Sequence, residues 1–289
     1  MATLRQIKRR LLGIKNIQQI TRTMKMVAAV KLRRAQENIL KARPYTFRLR
    51  DVISQLALRA EGTSHPLLQK REEKKVLLLV ITSDRGLCGA FNSNINRKAE
   101  RYVKSNVKGH ESIELLLVGK KGRDYFRRRG YPIRKEYMGV LTDPTLERIG
   151  EIGSYITGEY IDSGLDAVYI IYNEFKSAVQ QQVVVETILP IEPPQSVQET
   201  IKNPIDFLYE PDREKILNAV LPLYVNIQVY HAVLESLAAE MGARMTAMES
   251  ATNNAKDLIN RLTLIYNKTR QASITKELMD IIGGAEALK

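Results

Sequence analysis

The sequence contains no tryptophan, a single cysteine (Cys88) and three histidines, His65, His110 and His231, scattered without ligand spacing. One thiol excludes an intramolecular disulfide and any cysteine-rich metal site, and isolated histidines offer no zinc constellation. Aromatic residues make up 6% of the chain, too few for a platform on which nucleic-acid bases would stack. No apolar run exceeds the six residues 76–81, whereas a helix crossing a bilayer takes about 20; the expectation is a soluble or peripheral protein. Acidic residues are almost missing from one place only. Residues 1–50 hold 14 Lys and Arg against the lone acid Glu37, while the remaining 239 residues carry 31 basic and 31 acidic groups. The net charge of +13 therefore sits on one terminal segment, whose partner should be an acidic surface of protein, nucleic acid or lipid.

Proline is absent from residues 3–43 and 223–282, and each stretch holds one glycine, Gly13 and Gly242. Both read as very long helices. Stepping alternately four and three residues from Leu223 gives Leu223, Ile227, Tyr230, Leu234, Leu237, Met241, Arg244, Met248, Ala251, Ala255, Leu258, Leu262 and Ile265, a seam broken only by Arg244. A seven-residue repeat kept this long requires a left-handed supercoil with a partner helix, because a straight helix would drift off the stripe. At the other end, apolar residues recur at Leu4, Ile7, Leu11, Ile14, Ile17, Ile20, Met24, Val27, Ala28, Leu32, Ala35 and Ile39, an amphipathic helix of about 40 residues. Pro44 should kink or end it, with helix resuming to about Ala60. This basic helix superficially resembles a mitochondrial targeting segment, but it outruns a presequence and shows no cleavage region, so no removable leader is expected.

Between the helices the pattern changes. Residues 76–81 form a continuous apolar run of the kind found in a strand buried on both faces. A helix around 94–105, a strand at 113–118, a basic helix at 120–129, a strand at 133–137 and a helix at 145–161 follow. Residues 166–175 and 180–189 then read as an antiparallel strand pair joined at Lys176-Ser177. Strands alternating with helices predict a mostly parallel sheet covered on both faces, and the proline-rich residues 190–211 a linker. The fold class is thus α/β: a Rossmann-like domain (70–195) inserted between an N-terminal helix (1–60) and a C-terminal helix (211–289) that pair as a long antiparallel coiled coil.

The tempting chemical motif is Ser83-Asp84-Arg85-Gly86-Leu87-Cys88-Gly89-Ala90-Phe91-Asn92, at the carboxyl end of the first strand, where doubly wound folds bind ligands. It is neither Gly-x-Gly-x-x-Gly nor a phosphate loop, since only Gly86 and Gly89 are present and no lysine follows at the required place. Asp84 and Arg85 suit a turn with its ion pair, and Cys88 suits a small packed side chain. With no nucleophile, base or metal pattern elsewhere, an independent enzyme is not expected: no catalytic, cofactor-binding or metal-ligating residues are assigned.

Three long stretches resemble one family, in its order: Ile20-Thr21-Arg22-Thr23-Met24-Lys25-Met26-Val27-Ala28-Ala29, Ser83-Asp84-Arg85-Gly86-Leu87-Cys88-Gly89, and Tyr266-Asn267-Lys268-Thr269-Arg270-Gln271-Ala272-Ser273-Ile274-Thr275-Lys276-Glu277-Leu278. They look like the γ subunit of F-type ATP synthases. The resemblance implies a central rotor shaft inside a hexamer of α and β subunits, turned by a c-ring driven by protons or sodium ions, with the ε subunit at its foot. It implies a subunit that is not itself catalytic, peripheral to the membrane through the complex, on the cytoplasmic face of a bacterial plasma membrane. By the same resemblance Arg270, Gln271 and Thr275 hydrogen-bond a loop of β, Met24 and Lys25 face the acidic β lever, Ile281, Ile282 and Leu288 form an apolar tip in a sleeve, and Tyr209 and Glu210 belong to the foot meeting the c-ring and ε. Plastid relatives with thiol regulation carry an inserted cysteine pair; Cys88 alone implies no such control. The alternative is a basic coiled coil that binds nucleic acid.

Overall fold

The computed structural model describes residues 3–58, 65–107, 109–191 and 213–286. Tyr209, Glu210 and Leu288 lie outside them. The chain divides into two compact units, residues 1–28 with 244–289, and residues 29–243. Two terminal helices, α1 (Leu4–Leu58) and α5 (Arg213–Glu286), each contribute to both units.

Unit 2 is built on a five-stranded sheet of order β3-β2-β1-β4-β5, formed by β1 (Lys75–Ile81), β2 (Ser112–Val118), β3 (Ile133–Tyr137), β4 (Ala167–Phe175) and β5 (Gln181–Leu189). All pairs are parallel except β4 with β5, as the sequence predicted. β1 is central, and residues 76–81 are at most 1% exposed, which is why that strand is apolar without alternation. The crossovers β1-α2-β2 and β2-α3-β3, with α2 at Phe91–Asn106 and α3 at Lys120–Arg127, run in one direction. The chain then returns to the far side of β1, so right-handed connections put α4 (Leu146–Asp162) on the opposite face.

α4 meets α5 through Gly153. A Cβ there would stand 1.9 Å from Asn226 Oδ1 and 3.1 Å from Asn226 Cα, so only glycine permits the approach. α5 also receives the end of β4. That strand pairs with β1 only through Ile171; beyond it the amides of Asn173 and Phe175 donate to Ser236 Oγ (3.2 Å) and Glu235 Oε2 (2.9 Å). Side chains of the helix thus satisfy main-chain donors that would otherwise be buried and unpaired. Gly242 lies under the same hairpin, where a Cβ would come within 3.2 Å of Phe175 Cε2.

By length and composition α5 could cross a membrane. Its residues Leu217, Leu221, Val225, Val229, Val233 and Ala239 are instead buried in the core of unit 2, which accounts for that composition. α1 continues through Pro44. The carbonyl of Leu40, which Pro44 leaves without its amide, belongs to an exposed turn, where water can serve it.

Two measurements follow from this packing. Gly153→Ala forces a methyl group against the Asn226 backbone and should lower the stability of the full chain by about 1–3 kcal/mol, read as a fall in its thermal melting temperature; an unchanged melt would mean that α4 and α5 can part without loss. On the α2–α3 face, Glu100 accepts from Lys104 (2.8 Å) and from Tyr125 Oη (2.5 Å). Those contacts, Lys104 first, hold its carboxyl down to about 2 from the ordinary 4.5. A depressed carboxylate contributes stability present above its unfolded value and lost as pH falls through the folded one. Acid titration should therefore show a loss between about pH 4.5 and 2 that Glu100→Gln lacks.

Candidate functional site

In unit 1 the positions of α1 that are buried or half-buried are Leu4, Ile7, Leu11, Ile14, Gln18, Thr21, Met24, Lys25 and Ala28. On α5 the corresponding stripe is Met248, Thr252, Ala255, Ile259, Leu262, Tyr266, Thr269 and Ser273. Both step by three and four, the period of a coiled coil. Polar side-chain contacts join them. Thr252 Oγ1 lies 2.8 Å from Thr21 Oγ1, and Lys25 Nζ 2.5 Å from Glu249 Oε1. Going four residues up α1, from Thr21 to Lys25, goes three residues down α5, from Thr252 to Glu249, so the helices run antiparallel.

The phase of this seam corrects the sequence reading. On α5 the apolar pattern placed Ala251, Leu258 and Ile265 in the seam; Ala251 is half-buried beside Thr252, but the structure turns Ile259 and Tyr266 inward and leaves Leu258 and Ile265 about half exposed. On α1 it placed Ile17, Ile20 and Val27 there, and all three are more than half exposed while Gln18, Thr21 and Lys25 turn inward; Leu4, Ile7, Leu11, Ile14, Met24 and Ala28 are inward as the sequence predicted. Thr21 and Lys25, which make the cross-helix contacts, lie on this inward side. Met248, Ala255 and Leu262 are common to both readings. The result is a pair of helices with apolar side chains on its outer surface amid the basic residues of α1, a surface suited to burial against something else.

Of the residues singled out by resemblance, Arg270, Gln271 and Thr275 are all exposed on α5, with Thr275 Oγ1 donating to the carbonyl of Gln271 at 3.0 Å. The half-buried stripe at Thr269 and Ser273 passes between them, which leaves their side chains outward. Met24 is half-buried, and Lys25 is engaged by Glu249. From Glu249 to Arg270 is 21 residues of helix, about 32 Å at about 1.5 Å per residue, so these two groups are separate places on one shaft. Ile281 and Ile282 are exposed near the end of α5. The Lys25–Glu249 contact has no local signal in the sequence, because its partners stand 224 positions apart. The same holds for Glu235 and Ser236, which read as ordinary helical polar residues.

The carboxyl end of β1 is built as a closed turn. Ser83 Oγ donates to the carbonyl of Arg85 (2.6 Å), and Asn92 Oδ1 accepts from the Ser83 amide (3.0 Å). Asn92 Nδ2 reaches Ser83 Oγ (2.8 Å) and Cys88 Sγ (3.2 Å), so the thiol is a buried member of a structural network. Asp84 accepts from the amides of Lys120 (3.1 Å) and Gly139 (3.1 Å). The N-terminus of α3, where a phosphate would find free amides and a favourable dipole, is thus occupied by the protein's own carboxylate. Gly119, at φ +93°, brings β2's end so close to Thr82 that a Cβ would lie 2.0 Å from the Thr82 carbonyl oxygen, leaving no cradle. Among the described residues no three His, Cys, Asp or Glu side chains gather as metal ligands. The geometry supports contact between surfaces.

Comparison with known proteins agrees. A family model described as ATP synthase matches residues 3–288. The "ATP synthase gamma chain" of Anaeromyxobacter sp. (strain Fw109-5) is 49% identical, and that of Bdellovibrio bacteriovorus 48%, each over 100% of both chains. A chain in the central stalk and c-ring structure of the Tetrahymena thermophila mitochondrial ATP synthase is 31% identical with a TM-score of 0.62, covering 80% of this chain and 99% of its own. A chain of the Euglena gracilis mitochondrial ATP synthase, 23% identical, shares the fold with a TM-score of 0.65 over 99% of this chain and 94% of its own. Matched from end to end, with bacterial relatives near half identical over their full length, this chain belongs to the ATP synthase gamma chain family.

Proposed function

We propose that this chain is the central rotor shaft of an F-type ATP synthase, coupling rotation of an ion-driven c-ring to the conformational cycle of catalytic β subunits, in synthesis or in the reverse hydrolysis. The observation that carries this reading is the antiparallel pairing of the terminal helices with apolar and basic side chains left on the outside. A shaft needs stiffness, which a coiled coil supplies, and contacts that do not lock. Screened attraction between a basic surface and acidic neighbours has that character.

The chain itself performs no chemistry in this proposal; the closed turn at Asp84 supports that division of labour. Residues 1–60 and 211–289 form the shaft, and 70–195 the α/β domain. Arg270, Gln271 and Thr275 form the catch on a loop of β, and Met24 lies where the shaft faces the acidic β lever. Ile281, Ile282 and Leu288 form the tip in the sleeve, and Tyr209 and Glu210 the foot on the c-ring and ε. Lys25, bound to Glu249, takes part through the shaft's own seam. In a bacterium the complex would hold the chain on the cytoplasmic face of the plasma membrane, as a peripheral subunit.

Co-expression with the α and β subunits of the same organism tests the proposal. The three should purify as one complex whose ATP hydrolysis depends on this chain. Arg270→Ala with Gln271→Ala should lower turnover about tenfold, the effect of about 1.4 kcal/mol from lost hydrogen bonds to charged groups. Failure to assemble, together with tight binding to DNA that weakens steeply with salt, would replace the shaft by the nucleic-acid reading.

A further inference from the structure

Two stripes compete on α1 within unit 1. One is apolar and reads Ile17, Ile20 and Val27, all more than half exposed. The other, one residue further on, reads Gln18, Thr21, Lys25 and Ala28, and is the one turned inward. Apolar burial favours the first. The second is held by groups that reach across to α5. Thr21 Oγ1 lies 3.0 Å from the Gln18 carbonyl, Thr252 Oγ1 lies 2.7 Å from the Met248 carbonyl, and the two hydroxyls are 2.8 Å apart. Each hydroxyl has one proton: with Thr252 donating to Thr21 Oγ1 and Thr21 donating to the Gln18 carbonyl, the pair forms a relay from α5 to α1. One turn further along α1, Lys25 Nζ meets Glu249 Oε1 at 2.5 Å.

We propose that Thr21, Lys25, Glu249 and Thr252 are positioning residues that fix the register and facing of the two shaft helices, and so decide which apolar side chains the shaft shows to its surroundings. The ion pair is exposed, with side-chain accessibilities of 37% and 49%, and such pairs add little to stability on their own. Their leverage lies in the difference between arrangements. A polar group in a coiled-coil seam selects one register because the others leave it mismatched. Sliding α5 by one heptad sets Lys25 against Lys256 and Thr21 against Ile259; sliding it the other way sets Thr21 against Met245 and takes Glu249 away from Lys25. The all-apolar facing would bury Ile17, Ile20 and Val27 and turn the relay out to solvent. The consequence for turnover rests on the central-shaft reading; the register itself does not.

Zero-length carbodiimide coupling of the full chain, read by mass spectrometry, examines the register without any partner subunit. The expected cross-helix product joins Lys25 to Glu249. Coupling of Lys25 to Asp257 instead, or to no carboxylate of α5, overturns the proposal. In the complex with α and β, Lys25→Glu and Glu249→Lys each set like charges face to face and should lower turnover roughly two- to fivefold at unchanged subunit stoichiometry. The double swap should return it to within about twofold of the parent. A swap as impaired as the single variants, or single variants indistinguishable from the parent, overturns the proposal. If the parent chain yields the Lys25–Glu249 product but no complex assembles, the shaft reading fails and the register stands.

Discussion

The seven-residue period on the two terminal helices is the constraint on which the rest of the structure depends. A stripe that recurs every 3.5 residues can be covered only by another helix that winds with it, and each terminal helix of this chain carries such a stripe. Their antiparallel pairing obliges whatever lies between them in sequence to leave one helix and return to the other. The α/β domain fills that role, inserted between the two arms of the coiled coil. Gly153, Gly242, Glu235 and Ser236 are the places where α5, while serving as half of a shaft, is also fitted as a core helix of the domain.

The domain itself has the topology of a ligand-binding fold in which the carboxyl end of β1 is closed. In doubly wound sheets the crevice at the carboxyl ends of the strands, beside the point where strand order reverses, is where substrates or nucleotides lodge. Here Asp84 neutralises the helix terminus that would attract a phosphate, Thr82 presses against Gly119, and Ser83, Cys88 and Asn92 close the first turn on itself. The carboxylate that blocks the site also ties three connections together, since it reaches from the β1 turn to the start of α3 and to the loop after β3. What would have been a pocket has become a joint.

Most of the architecture was legible in the sequence because its signals are local or periodic. The buried run at β1, the alternation of strands and helices, the antiparallel β4–β5 pair and the extent of both long helices follow from hydropathy and from where proline and glycine stand. The seam was read only in part. Counting apolar residues finds most of the stripe, but on α1 Ile17, Ile20 and Val27 stay exposed while Gln18, Thr21 and Lys25 turn inward, a choice that hydropathy does not show. The residues resembling a family catch, Arg270, Gln271 and Thr275, were marked by motif; their outward placement follows from the half-buried positions on either side of them. Glu235 and Ser236 gave no signal, because what they satisfy is backbone, and backbone donors left over by unequal strand lengths are invisible until the strands are paired.

The separation of the paired positions also bears on synthesis. Thr21 and Thr252 are 231 residues apart, so α1 leaves the ribosome long before its partner exists, with a heptad stripe and a basic surface both uncovered. Closing so long a loop is entropically costly for an unfolded chain. α1 is therefore exposed to misassociation during synthesis.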